Sequence, residues 1–244
     1  MQGGDIFRLE GVDLSLVKTE ERPCPYLEGQ RSSELAALSR NMSPVAYQDL
    51  MDRGFRRSGS VFYRPDCASC HSCQPIRVPV DTFTPSRSQR RVRQRNVGVR
   101  IAIGSPRLDE ERLALYHRYL SARHARKEAC TADEYSEFFL TSPLDTLEMS
   151  YYCEQRLLGV GLVDLCPGSL SSVYFYFDPD WSKDSPGVFS GLCEIELCRA
   201  LKLPFWYLGF FVRDCRSMEY KARFRPCEIL GEDGVWKPPA APLS

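Results

Sequence analysis

Two clusters in this chain have residue types and spacing suited to chemistry. The first is Cys67-Ala-Ser-Cys70-His-Ser-Cys73, with a thiol at every third position. That spacing lets successive thiols converge on one ion from a tight turn. A fourth ligand has to come from elsewhere. Cys24, within Pro23-Cys24-Pro25-Tyr26, is the first candidate and His71 the second. Four thiolates suit Zn²⁺ or an iron–sulfur cluster equally, and spacing does not separate the two. The alternative is reduced thiols with no metal. The second cluster is cationic. Residues 85–100 carry six arginines in 16 positions, Arg87, Arg90, Arg91, Arg93, Arg95 and Arg100, with no acid among them. Arginine recognises phosphate or carboxylate bidentately, so the run can contact a nucleic-acid backbone; the alternative is a solvated helix face.

The rest of the chain limits these readings. Its 244 residues suffice for one large domain or two small ones sharing a core, and 43% hydrophobic with 26% charged residues is an ordinary globular composition. Basic and acidic residues balance at 32 each, so any nucleic-acid signal is local. No apolar run approaches the roughly 20 residues that a membrane span needs, and the opening residues are too polar for a secretory signal. A cytoplasmic protein with no membrane partner is expected. Eleven cysteines is odd and high, unlike a secreted disulfide scaffold. Cys153, Cys166, Cys193 and Cys198 lie in apolar stretches and read as small core residues.

The elements that must position these clusters follow from periodicity. Helical apolar spacing covers 32–52, broken at Pro44, with Gly54 as a stop. Short strands at Ser60–Arg64 and Ile76–Val80 flank the cysteine loop. Val99–Ile103 reads as a strand. Ser105-Pro106 then starts a helix running to about residue 125, and Thr131 to Glu134 forms a capping box opening a short second helix. Three strands follow at Glu148–Cys153, Leu157–Leu165 and Ser171–Phe177. A helix spans Val188–Leu203, ended by Pro204, and a doubly buried strand spans Phe205–Phe211. A short helix around Ser217–Ala222 and a last strand, Pro226–Leu230, close the chain.

This order resembles the GCN5-related N-acetyltransferases, in which two central strands splay apart and the acyl donor enters the gap. The expected class is α/β (α+β), a GCN5-related N-acetyltransferase-like fold with an N-terminal cysteine-containing lobe. The lobe is expected over residues 1–98 and the transferase domain over 99–244.

A more specific resemblance rests on several strings in order. Cys24-Pro-Tyr26-Leu, Gly54-Phe-Arg-Arg-Ser-Gly59, Tyr63-Arg-Pro65, Pro75-Ile-Arg77-Val and Ser86-Arg-Ser-Gln-Arg-Arg91 resemble the N-terminal part of aminoacyl-tRNA–protein transferases. Val173-Tyr174-Phe-Tyr-Phe-Asp178-Pro179-Asp180, Tyr207-Leu-Gly209-Phe and Met218-Glu-Tyr220-Lys221-Ala-Arg223-Phe224-Arg225-Pro226 resemble their second half. The length and the form of these strings are closest to the bacterial aspartate/glutamate leucyltransferases; the related arginyltransferases are longer. The resemblance implies an aminoacyltransferase that moves leucine, or alternatively arginine, from charged tRNA to the N-terminal amine of proteins beginning with Asp or Glu, marking them for degradation. Its partners would be aminoacyl-tRNA and those acceptor proteins. It also implies a metal or iron–sulfur cluster at Cys24, Cys67, Cys70 and Cys73, held for structure, because attack on an already activated ester needs no cofactor. One segment departs: Trp181-Ser-Lys-Asp-Ser-Pro186-Gly187 replaces a usual Leu-Gly pair, so the donor-facing loop is expected to differ in shape.

Amine attack on an ester needs alignment, a proton acceptor and oxyanion stabilisation. Asp178, at the end of the third strand, is the candidate base or amine-positioning carboxylate; a turn-capping Asp before Pro179 is the alternative. Tyr220, Lys221, Arg223 and Arg225 are candidates for the tRNA 3′ end or the acceptor's acidic side chain, and surface snorkelling is their alternative. Arg56 and Arg77 are candidates for an acidic acceptor, and Arg87, Arg90 and Arg91 for tRNA. His117 and His124 read as satisfied structural histidines. Two rivals stand beside this reading. A CoA-dependent N-acetyltransferase needs a pyrophosphate-gripping loop, and the segment from Asp178 to Gly187 does not match one. A zinc-ribbon nucleic-acid binding module fits the first half but leaves the second unexplained.

Overall fold

The computed structural model describes residues 6–9, 12–124 and 128–239. The N-terminal part is a set of short antiparallel strands: β1 (Ile6–Leu9), β2 (Val12–Ser15), β3 (Val17–Lys18), β4 (Arg22–Pro23), β5 (Arg31–Ser32) and β6 (Glu34–Leu38). The expected helix before Pro44 is therefore a strand. Leu35 and Leu38 have helical spacing, but Ala37 is buried and Leu38 is exposed, the two-residue period of a sheet surface. Helix α1 (Pro44–Asp52) then begins where Ser43 caps the Ala46 N–H with Pro44 in the first turn, and it buries Ala46, Tyr47, Leu50 and Met51. Strands β7 (Arg56–Ser58) and β8 (Val61–Pro65) complete a four-stranded sheet in the order β3-β6-β8-β7.

Beyond the cysteine loop come β9 (Cys73–Pro79), α2 (Arg87–Arg95), β10 (Val99–Gly104) and α3 (Glu110–His124). Helix α3 starts later than Pro106 because Asp109 is its cap, accepting from the Arg112 N–H at 2.9 Å. The Thr131–Glu134 capping box forms as expected and opens α4 (Ala132–Tyr135). Next follow β11 (Thr146–Cys153), β12 (Arg156–Cys166), β13 (Ser169–Phe177), α5 (Pro186–Leu201), β14 (Phe205–Val212), α6 (Arg216–Glu219), β15 (Glu228–Leu230) and β16 (Trp236–Lys237).

The large sheet has the order β10-β11-β12-β13-β14-β9-β15-β16 and is antiparallel except between β13 and β14. The class is thus mixed α/β around one large mixed sheet. The boundary set at residue 98 cuts across it: β9 lies inside the sheet, between β14 and β15. The main core mixes both halves likewise, with Ile76, Val78, Val80 and Val92 packed among Met149, Leu170, Ile195 and Trp206. Among the described residues no helix is long and apolar enough to cross a membrane.

Candidate active site

The parallel pairing of β13 with β14 is brief. Ser169 pairs with Phe205, Leu170 with Trp206 and Ser171 with Tyr207, and there it stops. Both strands are irregular at that point. Against β12, β13 shifts register between Ser172 and Tyr174, leaving Val173 as an extra residue. Against β9, β14 shifts between Tyr207 and Gly209, with Gly209 at a φ of +93°. Such bulges bend and twist a strand, and here two of them sit where the pair must separate. The separation opens a cleft of about 530 Å³, within the usual size of a ligand site. Ser172 to Phe175 form one wall and Leu208 the other, with Tyr119, Arg123, Tyr220, Lys221 and the start of α5 closing the rest.

Buried polar groups line this cleft. Glu194, on α5, is 4% exposed. Its Oε2 accepts from the Ser172 hydroxyl and, at 2.8 Å, from the Trp206 indole N–H; its Oε1 accepts from Ser190 at 3.0 Å. Tyr151 bonds the Ser190 hydroxyl in turn. Burial raises the Glu194 pKa, and these donors hold it back. The cationic counterpart is Lys221, 9% exposed, whose Nζ donates to the Phe210 carbonyl at 3.0 Å. Burial, reinforced by the nearby Arg56 charge, pulls its pKa down to about 7. Arg56 is buried and donates to the Ser172 carbonyl, at the root of the split.

The arginine helix is strapped beside the cleft mouth. At one end of α2, Gln89 donates to the Arg223 carbonyl at 3.2 Å. At the other, Asn96 donates to the Asp184 carbonyl and accepts from Trp181, while Arg95 reaches the Ser185 hydroxyl at 3.2 Å. Ser185 and Pro186 themselves line the cleft. Gln89 and Val92 turn inward, and Arg87, Arg90 and Arg91 face solvent, with Arg90 also donating to the Pro85 carbonyl. Arg223 and Arg225 are exposed next to this helix and do not line the cleft. Of the four candidates at 220–225, the structure brings Tyr220 and Lys221 into the cleft.

Two candidates have other partners. Asp178 is 1% exposed and binds Arg118 through both oxygens, at 2.8 and 2.9 Å, together with Arg156 and the Asp180 N–H. Burial alone would raise its pKa; the Asp180 N–H and the two guanidiniums outweigh it and hold the carboxyl below its usual range. It therefore carries the turn-capping role and lies outside the cleft lining. Arg77 is spent on Glu228 at 2.8 Å, Asp52 at 3.2 Å and the Tyr207 hydroxyl at 2.9 Å, while stacking on Phe205. It ties β9 to β14, β15 and α1 and does not line the cleft. Among the described residues the His117 Nε2 is buried with no hydrogen-bond partner, unlike the satisfied histidine expected, and the His124 side chain lies outside the described residues.

Cys24, Cys67, Cys70 and Cys73 are all half-buried free thiols. Burial, and then the nearness of the other three, pushes the Cys73 thiol up to about 12. Cys67, Cys70, His71 and Cys73 line a second cavity of about 680 Å³, away from the split. The donor chemistry suits a thiophilic metal. Among the described residues, however, no three or more Cys, His, Asp or Glu side chains are gathered as a ligand set.

Glu194, Ser172, Ser190 and Trp206 were not singled out from the sequence. One signal was available: Glu194 interrupts an apolar helix, and an acid amid buried neighbours needs a reason to be there.

Comparison with known proteins accords with this geometry. The profile described as "Arginine-tRNA-protein transferase, N terminus" matches residues 22–91, and its C-terminal companion matches 111–231. The aspartate/glutamate leucyltransferase of Chromobacterium violaceum is 39% identical over 222 residues, covering 90% of this chain and 91% of that protein. The protein of the same name from Hahella chejuensis is 34% identical over 218 residues, covering 88% and 93%. Among solved structures, the C-terminal domain of a putative lysylphosphatidylglycerol synthetase from Agrobacterium fabrum has a TM-score of 0.47 at 13% identity, covering 78% of this chain and 62% of that one. The two profiles together cover most of the chain, the split between β13 and β14 included, and the chain belongs to the arginine-tRNA-protein transferase family.

Proposed function

We propose that this protein transfers an aminoacyl group, leucine, from aminoacyl-tRNA to the N-terminal amine of proteins beginning with Asp or Glu. The observation that carries the reading is the cleft at the β13/β14 split, which joins a buried carboxylate and a buried lysine between aromatic and apolar walls. The split, with α5 crossing from β13 to a parallel β14, supports a GCN5-related N-acetyltransferase-like fold with an N-terminal cysteine lobe.

The roles follow from chemistry. The terminal adenosine of charged tRNA stacks among Tyr119, Phe177 and Tyr220, since base–aromatic stacking tolerates any π face. Arg123, whose guanidinium lies 5.1 Å over the Phe177 ring, meets the adjoining phosphate. Arg87, Arg90 and Arg91, with Arg223 and Arg225, extend that contact along the acceptor stem. Lys221, with the buried Arg56 charge behind it, reads the acceptor's side-chain carboxylate, a charge-assisted contact that a neutral N-terminus cannot make. The neutral amine attacks the ester carbonyl; a C–N bond forms, the C–O bond to the ribose breaks, and the amine proton leaves with the ribose oxygen. Holding the two reactants in one water-poor cleft supplies the main acceleration.

Cys24, Cys67, Cys70 and Cys73 would hold the metal or iron–sulfur cluster that the donor set suits, as a fastener of the N-terminal lobe. No step of the transfer passes through it. A cytoplasmic setting belongs to the same reading, because charged tRNA and its acceptors meet there. The decisive assay incubates the protein with leucyl-tRNA and arginyl-tRNA in parallel and with peptides beginning Asp, Glu or Ala, reading the mass of the product. Leucine added to the Asp and Glu peptides is the expected result. An unextended peptide, or acetylation from acetyl-CoA instead, would overturn it.

A further inference from the structure

Away from the cleft, buried charges among the described residues are closed by opposite charges, and Glu194 is not. Arg57 pairs with Asp164 at 2.5 Å and Arg112 with Glu148 at 2.6 Å, all four side chains being at most 3% exposed. Glu194 is as buried, yet among the described residues no lysine or arginine forms a salt bridge with it; its donors are two hydroxyls and an indole. Those three bonds fill both sites of Oε2 and one of Oε1, which leaves an acceptor site on Oε1. The Arg56 charge acts on it from beyond salt-bridge distance, so a buried carboxylate with no cation in contact gains from a charged group that arrives. It also lines the cleft, beside Val188, Leu208 and Phe175, surfaces that suit a branched aliphatic side chain. The ester end of an aminoacyl-tRNA carries both features, an α-ammonium next to the reacting carbonyl and a side chain one carbon away.

We infer that Glu194 is the binding residue for the α-ammonium of the transferred amino acid, with Ser172, Ser190 and Trp206 fixing its carboxylate for that contact. The inference rests on the proposed function and assigns one end of the donor to one atom group. Its sense is recognition and orientation: holding the ammonium sets the angle at which the carbonyl faces the incoming amine. The aliphatic wall alone would bind a donor whose amino group is replaced by hydroxyl just as well; only the carboxylate tells them apart.

The test uses two donors on the same tRNA: leucine, and 2-hydroxy-4-methylpentanoate, its α-hydroxy analogue. Both are offered with a peptide beginning Asp. The wild-type protein should favour the leucyl donor by about 10- to 100-fold in kcat/KM, the range of one hydrogen bond to a charged group. In Glu194→Gln the leucyl value should fall to near that of the hydroxy donor, which should itself change little. The ratio is independent of how much of the variant is folded, because both donors see the same preparation. Ser172→Ala, which keeps the carboxylate and removes one of its donors, should reduce the ratio partly. If Glu194→Gln depresses both donors equally, Glu194 only supports the fold. If the wild type does not discriminate, the ammonium is read elsewhere. Transfer of leucine by the wild type is measured in the same experiment, so failure of the function would be seen separately.

Discussion

Two regions of this molecule handle buried charge in opposite ways. Beneath β11 and β12 the charges are matched: Arg112 is held by Glu148, Asp109 and Ser150, and Arg57 by Asp164 and Thr146. At the β13/β14 split they are not: Lys221 has a backbone carbonyl as its partner, and Glu194 has neutral donors. A matched pair is a finished structural unit, and removing one member strands the other. An unmatched group in a cleft is unfinished until a ligand supplies the opposite charge. Among the described residues, the unmatched Lys221 and Glu194 line the cleft of the proposed site, and the matched pairs do not.

The comparison can be broken most directly through the closed pairs. Arg112→Met leaves the Glu148 carboxylate buried without its cation, with only the Ser150 hydroxyl and the Arg107 N–H as donors, and should destabilise the fold by about 3–5 kcal/mol, read by denaturant melts. A loss below about 1 kcal/mol would mean that the pair is not the unit described. Lys221→Met should do the reverse, costing function and gaining stability. Since burial and Arg56 lower the lysine to about 7, the unfolded chain binds more protons than the folded one between that pH and the ordinary lysine value. The penalty is therefore complete below pH 7 and fades as pH rises. The variant should melt higher than wild type below pH 7, with the difference vanishing near pH 10. It should also lose roughly 100-fold in preference for Asp peptides over Ala peptides, as expected for a lost charge-assisted contact. A variant that melts lower at every pH would assign Lys221 to structure.

Asp178→Asn sharpens the contrast at intermediate size. Asp178 is a matched charge, so its loss should appear as about 1–3 kcal/mol of stability, with the donor ratio unchanged. Its lowered pKa means that the stabilisation is present above the ordinary carboxylate range and is lost as pH falls through the folded value. The wild type should lose that advantage over the variant in acid. The smallest effect belongs to the solvent side. Arg87→Ala with Arg91→Ala should weaken tRNA binding several-fold and lower the slope of log affinity against log salt by roughly 1 to 2, leaving Tm in place. An unchanged slope would remove α2 from the tRNA footprint.

Much of this layout was legible in the sequence, for physical reasons. The capping box at Thr131, the apolar run from Phe205 and the three central strands are local signals, and each appears within a few residues of its expected place. The arginine run was legible because an acid-free segment stands out in a neutral chain. The misreadings have equally local causes. Leucines three apart in β6 imitate a helix face. Asp178 and Arg77 have the chemistry of site residues, and only the fold shows that Arg118, Arg156, Glu228 and Asp52 already use it. Glu194 escaped notice because nothing adjacent in sequence reveals that Ser172 and Trp206 converge on it. Long-range convergence has no periodicity to read.

The position of β9 carries a consequence for synthesis. In the finished sheet Ile76 pairs with Gly209 and with Ile229, so a strand translated early waits for partners translated near the end. Pairing at such sequence distance is slow, and until it happens the nascent chain carries the apolar side chains of Ile76 and Val78 without their sheet. The cysteine loop immediately precedes that waiting strand.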